Sequence, residues 1–248
     1  MNADANGRMA LITGGSTEIG AACARALAAS GARVVVADQD EHRAGLIASA
    51  IGGQVWPINL QDTAALASLT LDADILVNAA GATAVAPLHE LTPQDFGRVH
   101  RVLVEAPYLL IRAALPHMYD RGWGRIINIT SAYGRAGARE QAAAVSAAHA
   151  LEGLSKVTAL EAGPRGVTSN CVSPAQIRTA ELDDVIARLA AEREVGEDVV
   201  VDDLLARSSI KRFVEAREVA ALVTWLAGDD AAMVNGASYA MDGGWTAA

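Results

Sequence analysis

Residues 126–161 read IINITSAYGRAGAREQAAAVSAAHALEGLSKVTALE. The β-branched residues at the start of this stretch predict a strand that ends at the polar pair Thr130 and Ser131. A loop punctuated by glycines follows, and the alanine-rich run from about Arg139 to Glu161 predicts a helix. A hydroxyl at the carboxyl end of a strand, facing a helix of the same chain, is a frequent place for catalysis in an open α/β sheet. The stretch therefore indicates a strand–loop–helix unit with a candidate catalytic serine.

Strand and helix patterns alternate along the whole chain, without an internal repeat or a linker. This alternation predicts an α/β fold: a single domain over residues 1–248 with one doubly wound, Rossmann-like parallel sheet and helices on both faces. Residues 1–7 are expected to be flexible. The predicted strands cover about 9–13, 33–37, 54–58, 74–78, 126–131, 167–172 and 237–241. The two longest predicted helices cover about 92–117, with a bend at Pro107, and 139–161.

The composition excludes several classes of function. The chain has 248 residues, of which 52% are hydrophobic and 20% are charged, so a globular domain is expected. A net charge of −9 argues against nucleic acid and anionic membranes as partners. No signal-peptide pattern or long apolar run is present, and Cys23 and Cys171 have no metal-like spacing. We therefore expect a cytoplasmic protein without a metal site.

The first predicted strand leads into a glycine-rich turn, Thr13-Gly-Gly-Ser-Thr-Glu-Ile-Gly20. Strand, glycine turn and helix N-terminus together form an anion-binding corner, because free backbone N–H groups point outward there. Asp38 follows the second strand, at the distance from Gly20 where dinucleotide-binding chains carry an acid for the ribose hydroxyls. The opening 40 residues thus carry a candidate dinucleotide site.

Together these motifs resemble the short-chain dehydrogenase/reductase family over nearly the whole chain. That family carries a serine at the strand end, a tyrosine thirteen residues later and a lysine four residues further on. Here Ser131 is present, but Ala144 and Ala148 stand at the other two positions. The family's asparagine, 28 residues before the serine, is replaced by Leu103. The resemblance therefore implies that only Ser131 remains of the four groups that transfer protons in active relatives.

One tyrosine is a candidate replacement. No tyrosine in the chain is followed four residues later by a lysine, so the motif has not slipped along the sequence. Tyr133 lies two residues after Ser131 and could reach the same pocket. It would act as the acid only if the site has been repurposed.

The glycine motif also departs from the family pattern, Thr-Gly-x-x-x-Gly-x-Gly. Gly14 and Gly20 are kept, but Glu18 replaces the middle glycine. A glutamate there adds bulk and charge beside an anionic ligand, and two unit charges about 4 Å apart repel by roughly 4 kcal/mol at an effective dielectric of 20. We expect Glu18 to obstruct the site, so that the chain binds no cofactor or binds NAD weakly through Gly14, Gly20, Asp38 and Asn78. Alternatively, Glu18 only caps its helix.

The resemblance fits heteromeric hydroxyacyl-CoA dehydrogenases best, such as the benzylsuccinate-pathway enzyme of toluene degradation, which pair an active with a degenerate subunit. It implies a catalytically silent subunit that supports an active, NAD-binding 3-hydroxyacyl-CoA dehydrogenase partner in a hetero-oligomer, most simply a heterotetramer. A homo-oligomer remains open. Residues 175–210 correspond to the region that lies over the substrate. Two alternatives remain: an enzyme using Ser131 and Tyr133 for a redox-neutral step, or a metabolite-binding regulator.

Overall fold

A computed structural model describes residues 5–247, except for the side chains of residues 180 and 181. Its sheet contains seven strands, in agreement with the alternation in the sequence. The strands are β1 (Met9–Thr13), β2 (Arg33–Asp38), β3 (Gln54–Pro57), β4 (Ile75–Asn78), β5 (Gly124–Ile129), β6 (Val167–Pro174) and β7 (Ser238–Met241).

The strand order is β3-β2-β1-β4-β5-β6-β7, and every pair of neighbours is parallel. The chain therefore reverses direction across the sheet between β1 and β4, which is the switch point of a doubly wound fold. Every residue of β5 and β6 is buried. Central strands of this kind are covered on both faces, so their polar residues, such as Asn128, Ser169 and Asn170, are buried together with their apolar ones.

Helices cover both faces of the sheet, so the predicted fold class is confirmed. They are α1 (Glu18–Ala29), α2 (Glu41–Ile51), α3 (Thr63–Ala67), α4 (Pro93–His100), α5 (Ala106–Arg121), α6 (Ala142–Ala162), α7 (Ala180–Arg193), α8 (Glu197–Leu204) and α9 (Ala216–Ala227). One apolar core lies between the sheet and α1, α2 and α9. The other lies between the sheet and α3, α5 and the C-terminal end of α6.

The helix predicted for residues 92–117 is interrupted in the structure. Thr92 caps α4, its hydroxyl accepting the Asp95 N–H at 3.0 Å, as the Thr-Pro start predicted. A π-helical turn, Arg101–Glu105, then joins α4 to α5. The interruption thus lies just before Pro107, and a π turn is a frequent mark of a functional segment in a helix.

The start of the chain is described from Ala5 onward, so residues 1–4 of the segment expected to be flexible lie outside the described residues. Ala5 is buried, and its N–H donates to the Ser30 carbonyl at 3.1 Å. Within residues 5–247, no helix is long and apolar enough to cross a bilayer.

Replacing Gly20 with alanine should destabilise the fold, because the new Cβ would lie 2.1 Å from the Gly14 carbonyl oxygen. The backbone would have to move, at a cost of about 1–3 kcal/mol in the free energy of unfolding. Gly45→Ala is the matched control, since its Cβ would meet nothing within 4 Å on α2. That change should be neutral or stabilising by up to about 1 kcal/mol. Urea unfolding measures both; equal stability of Gly20→Ala and the parent protein would contradict the prediction.

Candidate active site

All seven strands run parallel, so their carboxyl ends share one edge of the sheet, and two clefts open there. The first, of about 320 Å³, lies beyond β1, β2 and β4. The second, of about 290 Å³, lies beyond β5, β6 and β7. The first cleft is lined by the glycine turn and Asp38, and the second by Ser131 and Tyr133. The fold therefore brings the candidate dinucleotide residues and the candidate catalytic residues to the same edge.

The glycine turn is built by close backbone contacts. Gly14 has φ +62°, and a Cβ there would lie 2.5 Å from the Cα of Ala80. The Thr17 hydroxyl donates to the Gly14 carbonyl at 2.7 Å and accepts the Gly20 N–H at 3.1 Å. These contacts hold the N-terminus of α1 beside the end of β1, as an anion-binding corner requires.

Asp38 closes the other side of the first cleft. Its carboxylate is 9% exposed and accepts two backbone N–H groups, one from Ser16 at 3.0 Å and one from Asp40 at 3.0 Å. Arg43 and Arg98 also line this cleft. The carboxylate is therefore held in a fixed position, where it can accept a hydroxyl of a bound ribose.

Glu18 does not have the surroundings that the sequence suggested. It is the first residue of α1, next to the cap Thr17, and its side chain is exposed. It lines an open groove along α1 together with Arg25, and this groove shares Ser16, Thr17 and Arg43 with the first cleft. An acid in the first turn stabilises a helix through the macrodipole, so the alternative reading of Glu18 as a helix-capping acid agrees with its position.

Asn78 is the last residue of β4 and lines neither of the two clefts. It is 3% exposed, and its amide Nδ2 donates to Oδ1 of Asn128 at 2.8 Å. The two residues are register partners on β4 and β5. Among the described residues, the Asn78 Oδ1 and the Asn128 Nδ2 have no hydrogen-bond partner. Asn78 thus joins the two central strands at the base of the site.

Ser131 and Tyr133 lie together in the second cleft. Ser131 ends the β5 segment in extended conformation, and its Oγ accepts the Tyr133 N–H at 3.2 Å across a 3₁₀ turn, Ala132–Gly134. The Tyr133 ring lies edge-on to Trp245, with centroids 6.1 Å apart. Because the Ser131 oxygen accepts from the backbone, its own O–H is available to donate into the cleft.

The three positions at which the family motif departs are filled by apolar packing. Leu103 lies in the π turn and packs on Ala143 and Ala147 of α6. Ala148 is 6% exposed and Ala144 is half-buried. The family's asparagine, tyrosine and lysine positions are thus adjacent to one another in this fold but carry no titratable group.

Sequence reasoning missed Glu152, a buried acid four residues after Ala148. It is 7% exposed, and its Oε1 accepts the hydroxyls of Thr130 at 2.9 Å, Ser173 at 2.8 Å and Ser238 at 2.8 Å. This hydroxyl cluster ties α6 to the ends of β5, β6 and β7 beneath the second cleft. A glutamate on the inner face of a predicted helix was a signal, since buried acids are almost always paired.

The matching family model carries the description enoyl-(acyl carrier protein) reductase and covers residues 15–246. With this fold and site, the chain belongs to the short-chain dehydrogenase/reductase family. D-beta-hydroxybutyrate dehydrogenase of Rhizobium meliloti is 36% identical, over 97% of this chain and 99% of its own length. D-threitol dehydrogenase of Mycolicibacterium smegmatis is 32% identical, over 97% and 94%.

A solved structure is similarly close. It is a protein of Agrobacterium tumefaciens described as a 2-deoxy-D-gluconate 3-dehydrogenase, with NADP bound. It superposes with a TM-score of 0.87 at 30% identity and covers 99% of this chain and 98% of its own.

These comparisons contradict the predicted catalytically silent subunit. The relatives are named as dehydrogenases over the same length of chain, which points to a catalytic oxidoreductase. The prediction relied on Leu103, Ala144 and Ala148. Missing groups at those positions do not show which other side chains reach the cleft, and the structure places Tyr133 there.

The cofactor prediction, no cofactor or only weak NAD in this chain with NAD bound by a partner subunit, is contradicted too. The Agrobacterium structure holds NADP in the same fold. The prediction assumed that the Glu18 side chain enters the cleft, whereas that side chain is exposed and is not among the residues that line the cleft. Within the described residues, no group of three or more His, Cys, Asp or Glu side chains could hold a metal ion.

Replacing Glu152 with alanine should destabilise the protein, because three hydroxyls would lose their shared acceptor, and that of Ser173 is completely buried. Losing this charged acceptor should cost about 1–3 kcal/mol in the free energy of unfolding, although the Ser173 hydroxyl could still pair with Thr130 at 2.7 Å or Ser238 at 3.0 Å. Glu152→Gln is the control, since it keeps the size and one acceptor oxygen. Guanidinium unfolding compares the two, and equal stability of the alanine and glutamine variants would refute the importance of this acceptor.

Proposed function

We propose that this chain is an NAD-dependent oxidoreductase that interconverts a small secondary alcohol and its ketone, with Ser131 and Tyr133 as the groups that contact the reacting oxygen. The observation that carries the proposal is the presence of both side chains in one cleft, at the sheet edge that also carries the dinucleotide corner. The named activities of the relatives support this class of reaction.

The first cleft fits a dinucleotide. The close contacts of Gly14 and Gly20 hold the first turn of α1 beside the cleft, where its backbone N–H groups would hold a pyrophosphate, and Asp38 stands at the end of β2 for the ribose. Asp38 also favours NAD, because a 2′-phosphate would face its negative charge. When bound, the nicotinamide ring accepts or supplies the hydride.

Ser131 and Tyr133 would handle the substrate oxygen and its proton. The Ser131 O–H is available to donate to that oxygen, since its Oγ accepts the Tyr133 N–H. Tyr133 would take the alcohol proton as the phenolate during oxidation, after releasing its own proton to solvent, and as the phenol it would donate that proton during reduction. Oxidation thus removes a proton from oxygen and a hydride from carbon, and the carbonyl product stays hydrogen-bonded to Ser131.

Proton transfer in this chain would not pass through positions 103, 144 and 148, which carry Leu, Ala and Ala. Neither lysine replaces the missing one in the cleft. Lys211 donates to the carbonyls of Leu205 and Ala206, and Lys156 is exposed on α6. Residues 175–210 contribute Ala175, Gln176, Asp203, Leu204, Leu205 and Ser208 to the cleft wall, which supports their proposed role as a substrate cover.

NAD should bind at least about tenfold more tightly than NADP, a difference of about 1.4 kcal/mol, because the 2′-phosphate would meet the Asp38 carboxylate. Asp38→Asn should narrow the difference while keeping an acceptor for the Ser16 N–H. Glu18→Gly is the control and should change NAD affinity by less than about threefold, because that side chain is exposed. Titration calorimetry measures all three. Tighter NADP binding would overturn the Asp38 argument, and a gain above tenfold in Glu18→Gly would restore Glu18 as an obstruction.

Tyr133→Phe should lower kcat for NAD-dependent alcohol oxidation by about 100-fold or more, because it removes the group that takes the proton. Ser131→Ala should lower it by about tenfold or more through loss of a donor to the reacting oxygen. Tyr108→Phe is the matched control, since Tyr108 is 49% exposed on α5 and lines neither cleft.

Initial rates at 340 nm with a panel of small secondary alcohols provide the measurement. An unchanged rate in Tyr133→Phe would exclude this residue as the acid. Absence of any turnover in the parent protein, with NAD shown to bind, would reject the proposed reaction.

A further inference from the structure

We propose that the cleft at Ser131 selects a small, uncharged, hydroxyl-bearing substrate and discriminates against carboxylates. The inference deepens the proposed function and rests on it for the reaction, but it concerns binding and can be tested without turnover. It follows from how the charged side chains of the cleft wall are already paired within the fold.

In the described part of the chain, three charged side chains line this cleft: Asp203, Arg212 and Asp242. Only Arg212 could attract a carboxylate. Its two terminal nitrogens donate to the two oxygens of Glu218, at 2.8 and 2.7 Å. That two-point hydrogen bond holds the pKa of Glu218 at about 2, so the pair stays ionised at neutral pH. A substrate carboxylate would have to displace Glu218 from an optimal partner.

The other two charged side chains are acids, and Asp242 rather than Asp203 would repel an anion, because only Asp203 has a cationic partner among the ion pairs of the described residues. Asp203 is paired with Arg193 at 2.6 Å. Burial alone would raise the pKa of Asp242, but hydrogen bonds from Thr246 and Gly244 outweigh it and hold the pKa below its ordinary value. Asp242 is therefore a carboxylate at neutral pH, with 6% of its surface exposed. An acid in this cleft would face two carboxylates and one saturated guanidinium.

One further cation lies near the cleft. The Arg207 guanidinium carbon stacks 4.1 Å from the centroid of the Trp245 ring. Trp245 lines the cleft, whereas Arg207 is exposed and lies outside the lining. The Arg207 guanidinium is in contact with solvent, and solvent and salt screening make its attraction for a substrate carboxylate weak.

The remaining lining suits hydroxyl groups. Ser131, Tyr133, Gln176 and Ser208 supply donors and acceptors, while Leu204 and Trp245 are among the apolar walls. A volume of about 290 Å³ lies at the small end of ligand sites, so the cleft suits a short diol or polyol and its ketone.

Two matched substrate pairs test the inference: 1,3-butanediol against 3-hydroxybutyrate, and threitol against threonate. Each pair differs at one terminus, CH₂OH against carboxylate. Binding is measured by calorimetry with the protein saturated with NADH, and initial rates are measured with NAD. We expect at least about tenfold tighter binding of the uncharged member of each pair, and the same order in kcat/KM.

Two variants assign the cause. Glu218→Gln should free Arg212 and improve acid binding by about fivefold or more, with Glu192→Gln as a control on the exposed face of α7. Arg207→Ala should leave the ratio of the diol affinity to the acid affinity unchanged. The charge argument would be overturned if the ratio of diol affinity to acid affinity rises in Arg207→Ala. It would also be overturned if Glu218→Gln leaves the affinity for the acids unchanged.

The outcomes separate the two proposals. Selective binding of the diols without turnover would reject the proposed reaction and support the inference about the cleft. Turnover with equal or better binding of the acids would support the reaction and overturn the inference. Binding of neither class would overturn the inference as well.

Discussion

The rest of this structure depends on backbone segments that touch without side chains between them at the switch point of the sheet. Gly20 of α1 lies against the Gly14 carbonyl, and Gly14 lies against Ala80 beyond β4. These contacts fix how closely the first helix approaches the ends of β1 and β4, and so they set the shape of the first cleft. Cβ atoms at either glycine would separate the segments, which makes the close contact a requirement of both the fold and the site.

The fold could be predicted from the sequence because its signals are local. Buried parallel strands read as short apolar runs, and cap residues such as Thr92 mark helix starts. No such local signal in the sequence predicts whether one side chain at a helix N-terminus enters a neighbouring cleft. Glu18 occupies the position of a family glycine, yet its side chain is exposed and does not line the first cleft, contrary to the charge argument from the sequence.

Only those residues of the candidate site that stand at a fixed distance from a predicted strand end could be predicted from the sequence. Ser131, Tyr133 and Asp38 could be found at strand ends, because the carboxyl ends of parallel strands meet at one edge. The partners that give the site its electrostatic character come from distant elements. Glu152 collects hydroxyls from three strands, and Arg212 is neutralised by Glu218 of α9. Such pairs have no signature in a single sequence, since either residue alone reads as a solvated charge.

The alanines of α6 show why a family motif and a family activity need separate arguments. With Ala144 and Ala148 in place of a tyrosine and a lysine, the strand ends, the glycine turn and the packing of α6 are all present in this chain. The structure fills the family's asparagine position with apolar contact between Leu103 and α6, which closes that route for a proton. Tyr133 lines the second cleft from the 3₁₀ turn that Ser131 caps. Because Tyr133 lies on a short turn rather than on a long helix, the position of its phenol group depends on the rigidity of that turn. Glu152 accepts a hydrogen bond from Thr130, the residue before Ser131, and so it anchors the segment that leads into the turn.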